Sequence, residues 1–374
     1  MSKLLSLIIP TYNMAALLPR CVESLVQAKS IDTLDILIVN DGSKDNSLQV
    51  AREWEKKYPQ SIRVIDKPNG NYGSTINAAL PIAEGMYVKV LDSDDWFDTA
   101  ALDALLTEIE RFAQSNTQTE GNTKTAKTDT CPDMLHTPFT RIGATTREVI
   151  RYNTMGREPY EYGKIYQLDD ILPDGYIRFF LMHALAYRTE MLRSMHYRQT
   201  EGISYTDTEW SCYPLFAAQT IVFLPHNVYQ YNLDREGQTM DPKVLMKSVN
   251  QMQTVTDAML AYYESHRSVL SDVRAAWMKQ YFENRLRILY KIYLLDMPRA
   301  DFRMEDLQAM DEKYFPTMQR LDLHPRLYPE NKLLRIEYIG FWHRHHRRWS
   351  RPMEAFNHLL DVCVKWLYIR LFRR

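Results

Sequence analysis

The first 112 residues alternate between short, continuous apolar runs and longer segments in which apolar residues recur at helical spacing. Continuous apolar runs of strand length are typical of strands that are buried on both faces of a sheet. The four runs are LLSLII, DILIVN, IRVID and YVKVL, at residues 4–9, 35–40, 62–66 and 87–91. Because parallel strands are joined by crossovers, which are usually helices, the alternation predicts an α/β fold with a mostly parallel sheet flanked by helices.

The alternation ends after residue 112. Residues 113–130 contain only two apolar residues, both alanine, and are predicted to form a flexible surface loop. The alternation does not return before residue 240, and from about residue 243 onward apolar residues recur at helical spacing. Since 374 residues exceed a typical single domain, we expect an α/β domain over residues 1–240 and a helical C-terminal region over residues 241–374.

Composition restricts the class of protein further. With 45% hydrophobic residues, 25% charged residues and a net charge of -1, the chain is typical of soluble globular proteins and shows no bias towards a nucleic-acid partner. Four cysteines lie far apart without a C-x-x-C pair, which argues against a disulfide framework and favours a cytoplasmic location. Pro10 ends the N-terminal apolar run below signal-peptide length, and no run of about 18 apolar residues predicts a membrane-spanning helix.

Four carboxylates directly follow the fourth predicted strand. The stretch LDSDDWFD, residues 91–98, contains Asp92, Asp94, Asp95 and Asp98. Like charges at this spacing repel and raise one another's pKa, so the cluster requires a positive partner, except for Asp98, which we interpret as a helix N-cap. Oxygen ligands suit Mg²⁺ or Mn²⁺, which commonly bridge carboxylates to substrate phosphates. The cluster therefore predicts a divalent cation that carries a diphosphate.

Polar segments follow the other three predicted strands as well. They are PTYN, NDGSKD and DKPNGNYG, at residues 10–13, 40–45 and 66–73. In open parallel sheets, ligands bind beyond the carboxyl ends of the strands, so these segments are predicted to line one site. The first of them lacks a G-x-G-x-x-G fingerprint, and the sequence contains no Walker A motif, which argues against a dinucleotide cofactor and against a P-loop.

The motifs PTYN, NDGSKDNS, NGNYGSTIN and LDSDDW, in this order, resemble the nucleotide-sugar-binding half of a family 2 glycosyltransferase with the Rossmann-like GT-A fold. Farther along, YTDTEW (205–210) resembles the acidic motif that carries the catalytic base in that family. YQYNLDREGQT (229–239) resembles the segment that closes over the donor. The resemblance implies a GT-A nucleotide-sugar-binding and catalytic domain over residues 1–240.

Binding roles follow from this resemblance residue by residue. Thr11 and Tyr12 would hold the nucleoside, and Asp41 would accept a hydrogen bond from uracil, beside Asn40, where many relatives carry a further Asp. Glycines would let the backbone approach the nucleotide closely. The residues implied in nucleotide-sugar binding are Thr11, Tyr12, Asn40, Asp41, Asn69, Gly70, Gly73, Asp92, Ser93 and Arg235.

Catalytic roles also follow from the resemblance. Asp92 and Asp94 would form the D-x-D motif that holds Mn²⁺ or Mg²⁺, with Asp94 in direct contact with the metal. Asp207 would be the general base of an inverting, single-displacement reaction. Arg235 would meet the diphosphate, unless His226 acts there on the metal or phosphate. His183 and Glu209 are further candidates for direct participation, and Trp210 either stacks on an acceptor sugar or belongs to the core.

The C-terminal residues 335–374 contain nine Lys and Arg residues against three acidic residues, a net charge of +6. Aromatic residues alternate with the arginines, which is typical of helices that lie in a membrane interface and bind anionic lipid. The alternative is a terminal helix that packs on the protein's own core with a solvated basic face. The sequence leaves both interpretations open.

The expected function is transfer of a sugar from a UDP-linked donor to a glycan or glycolipid acceptor. By resemblance, this transfer would take place on the inner face of a bacterial plasma membrane, in capsule, exopolysaccharide or lipopolysaccharide synthesis. One alternative is a sugar-1-phosphate nucleotidyltransferase, which needs a Gly-rich, basic loop after the first strand that PTYNMAALLPR does not supply. The other is a non-catalytic protein that binds sugar nucleotides or docks on a membrane.

Overall fold

The structure is a computed structural model, and it describes residues 2–118, 131–151, 159–234, 248–298, 300–328, 337–348 and 359. The chain divides into two compact units. The first unit comprises Met1–Gln238 and Asp257–Arg274, and the second comprises Thr239–Thr256 and Ala275–Arg374. The predicted division at residue 240 lies outside the described residues.

Twelve strands of the described residues form two sheets in the first unit. The strands are β1 (Leu5–Thr11), β2 (Leu34–Asp41), β3 (Ile62–Lys67), β4 (Tyr87–Val90), β5 (Trp96–Phe97), β6 (Met134–His136), β7 (Phe139–Ile142), β8 (Arg147–Ile150), β9 (Ile165–Gln167), β10 (Leu185–Arg188), β11 (Thr220–Phe223) and β12 (Tyr229–Asn232). The larger sheet has the order β3-β2-β1-β4-β10-β6-β11-β9. Only β10 and β9 run against the other six strands, so the predicted mostly parallel α/β sheet is confirmed.

Helices connect the parallel strands and cover the sheet, as the alternation predicted. The helices of the first part of the chain are α1 (Leu18–Val26), α2 (Ser47–Lys57), α3 (Asn71–Ala79), α4 (Thr99–Gln118), α5 (Leu168–Ile171), α6 (Thr189–Ser194) and α7 (Asp207–Cys212). In α1, Leu18, Cys21, Val22 and Leu25 recur at helical spacing and are all fully buried in the core formed with β1 and β2. All eight residues of β2 are buried, which explains why its sequence is continuously apolar.

The smaller sheet has the order β5-β12-β7-β8 and lies beside the acidic stretch. Strand β5 begins directly after Asp95 and pairs with β12, which pairs on its other side with β7. The strands of this sheet have two or four residues each, too short to produce a clear apolar periodicity. Their shortness explains why the pattern between residues 131 and 240 was irregular.

Helix α4 continues to Gln118 and therefore includes the first residues of the segment 113–130, which we predicted to be a flexible loop. A helix that is already formed extends at little cost, because each added residue gains one backbone hydrogen bond. Ser115 also donates its hydroxyl hydrogen bond to the carbonyl oxygen of Arg111 in the preceding turn. Residues 119–130 lie outside the described residues.

The described residues of the second unit are mostly helical, in agreement with the prediction for the C-terminal region. Its elements are part of α8 (Val249–His266), most of α9 (Asp272–Lys291), a π-helix (Ile292–Asp296), α10 (Met304–Leu321) and α11 (Tyr338–His345). Trp342 of α11 is almost completely buried. Arg348 donates hydrogen bonds to the carbonyl oxygens of Leu294, Leu295 and Met297 at the end of the π-helix.

A buried polar cluster joins three of these helices. Asp311 of α10 accepts a hydrogen bond from the Tyr290 hydroxyl of α9 and shares one with His343 Nε2 of α11, at 2.8 Å. Burial raises the pKa of Asp311, but the hydrogen bonds from His343 and Tyr290 outweigh it and hold the pKa below its ordinary value of 3.8. The ionised carboxylate therefore stabilises the packing of α11 on its neighbours.

Replacing His343 with alanine is expected to lower the free energy of unfolding by about 2 kcal/mol at pH 7, because a buried carboxylate loses one partner. Since folding lowers the pKa of Asp311, this stabilisation is present above pH 3.8 and is lost as the pH falls through the folded pKa. Denaturant unfolding at several pH values measures both effects. His345→Ala, at an exposed position of the same helix, is the control and is expected to change stability by less than about 0.5 kcal/mol. Equal losses in the two variants would contradict the cluster's role.

Most of the basic C-terminal segment, residues 349–358 and 360–374, lies outside the described residues. In the part that is described, Trp342 and Arg348 pack within the helical unit, whereas Arg344 and Arg347 are exposed. Among the described helices, none combines the length and the hydropathy that a membrane span requires.

Candidate active site

The polar segments that follow β1, β2 and β3 lie together at one edge of the larger sheet. Residues Thr11 and Asn40 are paired across β1 and β2, and Asn40 and Asp66 across β2 and β3. Thr11 is buried and donates to the carbonyl oxygen of Ile9 (3.1 Å), so its side chain is engaged locally. Tyr12 is 42% exposed, which leaves its ring accessible at this edge.

Asp41 is the centre of a dense hydrogen-bond network. Its Oδ1 accepts hydrogen bonds from Lys67 Nζ (2.7 Å), the backbone N–H of Gly70 (2.9 Å) and Ser74 Oγ (3.3 Å). Asn69 donates its side-chain amide to the carbonyl oxygen of Asp41 (2.9 Å). The network fixes residues 69–70 against the end of β2. All three of these hydrogen bonds to the Asp41 carboxylate go to Oδ1 and none of them to Oδ2.

Asn40 and Gly73 are both buried, and each has a contact that the sequence did not reveal. Asn40 donates its amide to Asp66 (2.7 Å), and its Oδ1 has no hydrogen-bond partner among the described residues. A Cβ atom at Gly73 would lie 2.1 Å from the carbonyl oxygen of Thr200. The missing side chain of Gly73 therefore allows the close packing of α3 on the segment around Thr200, and the approach to a nucleotide stays a prediction.

The acidic stretch separates into residues that point inward and residues that are partly exposed. Asp92 and Asp94 are half-buried, whereas Ser93 and Asp95 are buried. Asp95 accepts hydrogen bonds from the Tyr229 hydroxyl (2.6 Å) and from the backbone N–H of Asn232 (2.8 Å), both in β12. Asp98 accepts from the backbone N–H of Ala101 (2.9 Å), which confirms the predicted N-cap of α4.

Three side chains come close enough to share a metal ion. They belong to Asp92, Asp95 and His183, which we call the metal group. One carboxylate oxygen of each aspartate and one ring nitrogen of the histidine all lie within 4.8 Å of one another. Asp94, which we expected to contact the metal directly, is not part of this group. The pairing of β5 with β12 turns Asp95 inward, and the adjacent Asp94 is left half-buried at the surface.

His183 is held by aromatic rings on the smaller sheet. Its ring stacks on Phe139 at a centroid distance of 5.0 Å and also packs against Tyr229 and Tyr231. Burial, assisted by the positive charges of Lys89 and Arg141, lowers the pKa of His183 to about 3, so the imidazole is neutral near pH 7. Neutral imidazole is the form that binds metals, and Nδ1 is buried without a partner among the described residues.

This donor set fits a divalent cation. Burial raises the pKa of Asp95, and the nearby negative charges of Asp92 and Asp94 raise it further, so a bound cation would relieve both repulsions. Carboxylate oxygens suit Mg²⁺ and Mn²⁺, whereas an imidazole nitrogen is a ligand of transition metals. The mixed set is therefore suited to a divalent cation.

Tyr72 connects the metal group with the predicted base. Its hydroxyl donates a hydrogen bond to Asp92 Oδ1 (2.9 Å). Burial raises the pKa of Tyr72 well above its ordinary value, and the negative charges of Asp92 and Asp207 raise it further. Asp207 is the first residue of α7 and is half-buried. The negative charge of Asp207 thus acts on the same tyrosine that donates to Asp92.

The neighbours of Asp207 have structural contacts. Glu209 is completely buried and accepts hydrogen bonds from the backbone N–H and the hydroxyl of Thr200, both at 2.7 Å. Trp210 is also completely buried, with its ring against those of Tyr187 and Tyr197. Of the two interpretations of Trp210, the structure supports the core residue, because a fully buried ring cannot stack on an acceptor sugar.

Two predicted contacts to the diphosphate have different outcomes. Arg235 lies outside the described residues. His226 is half-buried, and burial lowers its pKa, but it is not part of the metal group.

Sequence reasoning missed Lys67, Tyr72 and Tyr229, whose side chains hold Asp41, Asp92 and Asp95, respectively. Lys67 and Tyr72 lie within the quoted loop, yet no sequence pattern indicates where their polar atoms point.

Residues 6–165 match the protein family described as glycosyl transferase family 2. This match agrees with the resemblance of the motifs in this part of the chain. The match runs from the second residue of β1 to the first residue of β9, and it includes the acidic stretch and the loops that follow β1, β2 and β3. It ends before His183 and Asp207.

Several known proteins are similar to the chain. A chondroitin synthase of Pasteurella multocida is 41% identical over 106 residues, which are 28% of this chain and 11% of the synthase. The uncharacterised glycosyltransferase YibD of Escherichia coli is 27% identical over 287 residues, 71% of this chain and 76% of that protein. The chain spans about a third or less of the length of the relatives that it matches at 41–42% identity.

Among solved structures, S. aureus TarS (residues 1–349), in complex with UDP-GlcNAc, is similar with a TM-score of 0.48 and 18% sequence identity. The similarity covers 87% of this chain and 95% of the TarS chain.

Proposed function

We propose that this protein transfers a sugar from a nucleotide diphosphate donor, a UDP-sugar, to a glycan or glycolipid acceptor with inversion at the anomeric carbon. One observation carries the proposal. Residues 6–165 match glycosyl transferase family 2, and Asp92 and Asp95 in this part of the chain lie beside a neutral His183, at the sheet edge that also presents Asp41. Neither the nucleotidyltransferase nor the non-catalytic alternative is supported by the family match.

The nucleoside would bind at the ends of β1 and β2. Tyr12 offers an accessible ring at this edge, beside the buried Thr11. Asp41 would accept the N–H of uracil through Oδ2, because Lys67 and its neighbours already donate to Oδ1. Asn69 and Gly70 are held next to Asp41 by hydrogen bonds, so this part of the site is formed before the donor binds.

Asp92, Asp95 and His183 would hold the divalent cation, Mn²⁺ or Mg²⁺, with Ser93 and Asp94 on the same turn. When bound, the cation would stabilise the negative charge that develops on the departing nucleoside diphosphate. Tyr72 donates to Asp92 and thereby fixes the orientation of one carboxylate of the group. Direct contact of Asp94 with the metal and contact of Arg235 with the diphosphate stay predictions.

Asp207 would accept the proton of the acceptor hydroxyl as that oxygen attacks the anomeric carbon. Its position at the start of α7 and the effect of its charge on Tyr72, which donates to Asp92, support this role. Because attack and departure occur in one displacement, no covalent sugar–enzyme bond is formed. The Tyr72 hydroxyl is committed to Asp92 and does not compete for the acceptor proton.

A screen of nucleotide sugars for Mn²⁺-dependent donor hydrolysis and transfer tests the proposed function. We expect turnover of at least one UDP-sugar, with little turnover of GDP-sugars and none in the presence of a chelator. Turnover that does not depend on metal would contradict the role of the metal group. Absence of turnover, combined with absence of UDP binding, would contradict the proposed function as a whole.

We further propose that the basic C-terminal segment attaches the protein to the inner face of the plasma membrane, where cell-surface polysaccharides such as capsule, exopolysaccharide or lipopolysaccharide are assembled. The net charge of +6 over residues 335–374 supports this proposal. Deleting the whole segment is an unsuitable test, because Trp342 and Arg348 belong to the fold of the helical unit.

Charge reversal of Arg370, Arg373 and Arg374 to glutamate is therefore the better test. We expect binding to vesicles of phosphatidylglycerol and phosphatidylcholine to weaken by about tenfold or more, since each surface arginine contributes on the order of 1 kcal/mol. Binding of the unchanged protein should fall as salt rises. Co-sedimentation with vesicles measures both effects. Binding that is equal in the two proteins and independent of salt would contradict membrane attachment.

A further inference from the structure

One face of the smaller sheet borders the metal group. Parallel pairing places Tyr229 opposite Phe139 and Tyr231 opposite Arg141. Because side chains alternate along a strand, these four residues share one face. His183 covers Phe139, Tyr229 and Tyr231, with ring centroids 4.5 to 5.0 Å apart. The fourth residue, Arg141, therefore continues this face outward from the metal group.

Arg141 is a cation beside a cluster of carboxylates, yet it is not neutralised by that cluster. Its ion pair is with Glu148, the residue opposite it on β8, at a distance of 3.7 Å. Both side chains are about half exposed, at 44% and 58%, and exposed ion pairs of this kind contribute little to the free energy of folding. The charge of Arg141 also acts on the residues of this face, since it adds to the lowering of the pKa of His183 by burial and opposes part of the rise that burial and the carboxylates cause in the pKa of Tyr231. Arg141 can thus exchange a weak partner for a ligand.

The position of this face in the fold distinguishes it from the donor site. In the larger sheet, β1, β2 and β3 lie on one side of β4, and β10 and β6 lie on the other side. The polar segments that are predicted to bind the nucleotide, here called the nucleoside loops, follow β1, β2 and β3. Strand β7 follows β6 directly along the chain. The metal group at the end of β4 therefore lies between the nucleoside loops and Arg141.

We infer that Arg141 and Tyr231 form an acceptor subsite for a sugar that carries an anionic group, a carboxylate or a phosphate. This inference rests on the proposed function. A guanidinium ion binds either anion through paired, charge-assisted hydrogen bonds. The half-buried Tyr231 supplies an aromatic surface next to it. An anionic acceptor needs such a cation here, because the donor diphosphate and Asp92, Asp94 and Asp95 would otherwise repel it.

Binding of small probes to the protein preloaded with Mn²⁺ and UDP tests the inference. The probes are methyl β-glucuronide for the carboxylate, glycerol 3-phosphate for the phosphate and methyl β-glucoside as the neutral reference. We expect one anionic probe to bind about tenfold or more tightly than the glucoside, as a charge-assisted pair would provide. Titrations followed by NMR measure these affinities, and the better anion identifies the chemical class of the acceptor.

Three variants isolate the role of Arg141. Arg141→Gln is expected to abolish the preference for the anionic probe. Glu148→Gln is expected to increase that preference, because it removes the competing carboxylate. Arg147→Gln is the matched control, since Arg147 is an exposed arginine on the opposite face of the same sheet, and it should change nothing.

The possible failures are distinguishable. If the unchanged protein does not bind UDP with Mn²⁺, the proposed function is wrong. If it binds them but shows no preference for an anionic probe, or if Arg141→Gln retains that preference, the acceptor subsite is wrong. A loss of UDP affinity in Arg141→Gln would assign Arg141 to the donor diphosphate and would also overturn the inference.

Discussion

Replacing Asp207 with asparagine is expected to reduce sugar transfer by a factor of about 100 or more while leaving the affinity for UDP unchanged. Asparagine has nearly the same shape as aspartate but cannot accept the proton of the acceptor hydroxyl at neutral pH. Because Asp207 is not among the residues proposed to hold the nucleoside or the metal, the donor should bind as before. Steady-state transfer kinetics and UDP titration calorimetry measure the two quantities.

Asp170→Asn is the control for this prediction. Asp170 also lies in the first turn of a short helix of the same unit, α5, and is exposed. The control should leave transfer unchanged, so a general effect of neutralising a helix N-terminus would be visible in both variants. If Asp207→Asn retains transfer, Asp207 is not the base. If it loses UDP affinity as well, the residue instead supports the donor site.

Much of the first unit follows from local sequence. The four apolar runs all form strands, because a strand that is covered by helices on both faces needs apolar residues at every position. Once the strands are parallel, their carboxyl ends must share one edge, which brings together Thr11, Asn40 and Asp66 across three strands. The location of the candidate site was therefore predictable from the sequence.

The position of Asp95 beside Asp92 and His183 was not predictable from the sequence. Asp94 and Asp95 are adjacent and chemically identical, and the sequence favoured Asp94 by resemblance. The structure turns Asp95 inward through hydrogen bonds with Tyr229 and Asn232, which lie 134 and 137 residues farther along the chain. His183 joins the group through the same small sheet. Strands of two to four residues carry too little periodicity to reveal such long-range pairing.

Tyrosines have a recurring role in this site. Tyr72 donates to Asp92, and Tyr229 donates to Asp95, so each carboxylate of the metal group is oriented by one phenol. Burial raises the pKa of both tyrosines well above the ordinary value, which keeps the hydroxyls protonated as donors. Mutation of a residue that donates a hydrogen bond to a metal-binding side chain typically lowers the metal affinity by about 10- to 100-fold. The site thus depends on residues that carry no charge at neutral pH.

Replacing Asp92 with asparagine is expected to weaken Mn²⁺ binding in the presence of UDP by about 100-fold, because the metal group loses a negative charge as well as an oxygen ligand. In the unchanged protein, Mn²⁺ and UDP together should raise the melting temperature well above the value measured with UDP and a chelator. Asp92→Asn should remove most of this difference. Thermal unfolding and the electron paramagnetic resonance signal of free Mn²⁺ measure both effects without requiring turnover.

Asp98→Asn is the matched control, since Asp98 belongs to the same acidic stretch but caps α4. Asparagine is an equally good N-cap, so this variant should keep both its stability and its response to Mn²⁺. His183→Gln provides the complementary test, because it removes the imidazole and leaves every carboxylate of the stretch in place. If Asp92→Asn and His183→Gln both bind Mn²⁺ as tightly as Asp98→Asn does, then the three groups within 4.8 Å of one another do not form a metal site.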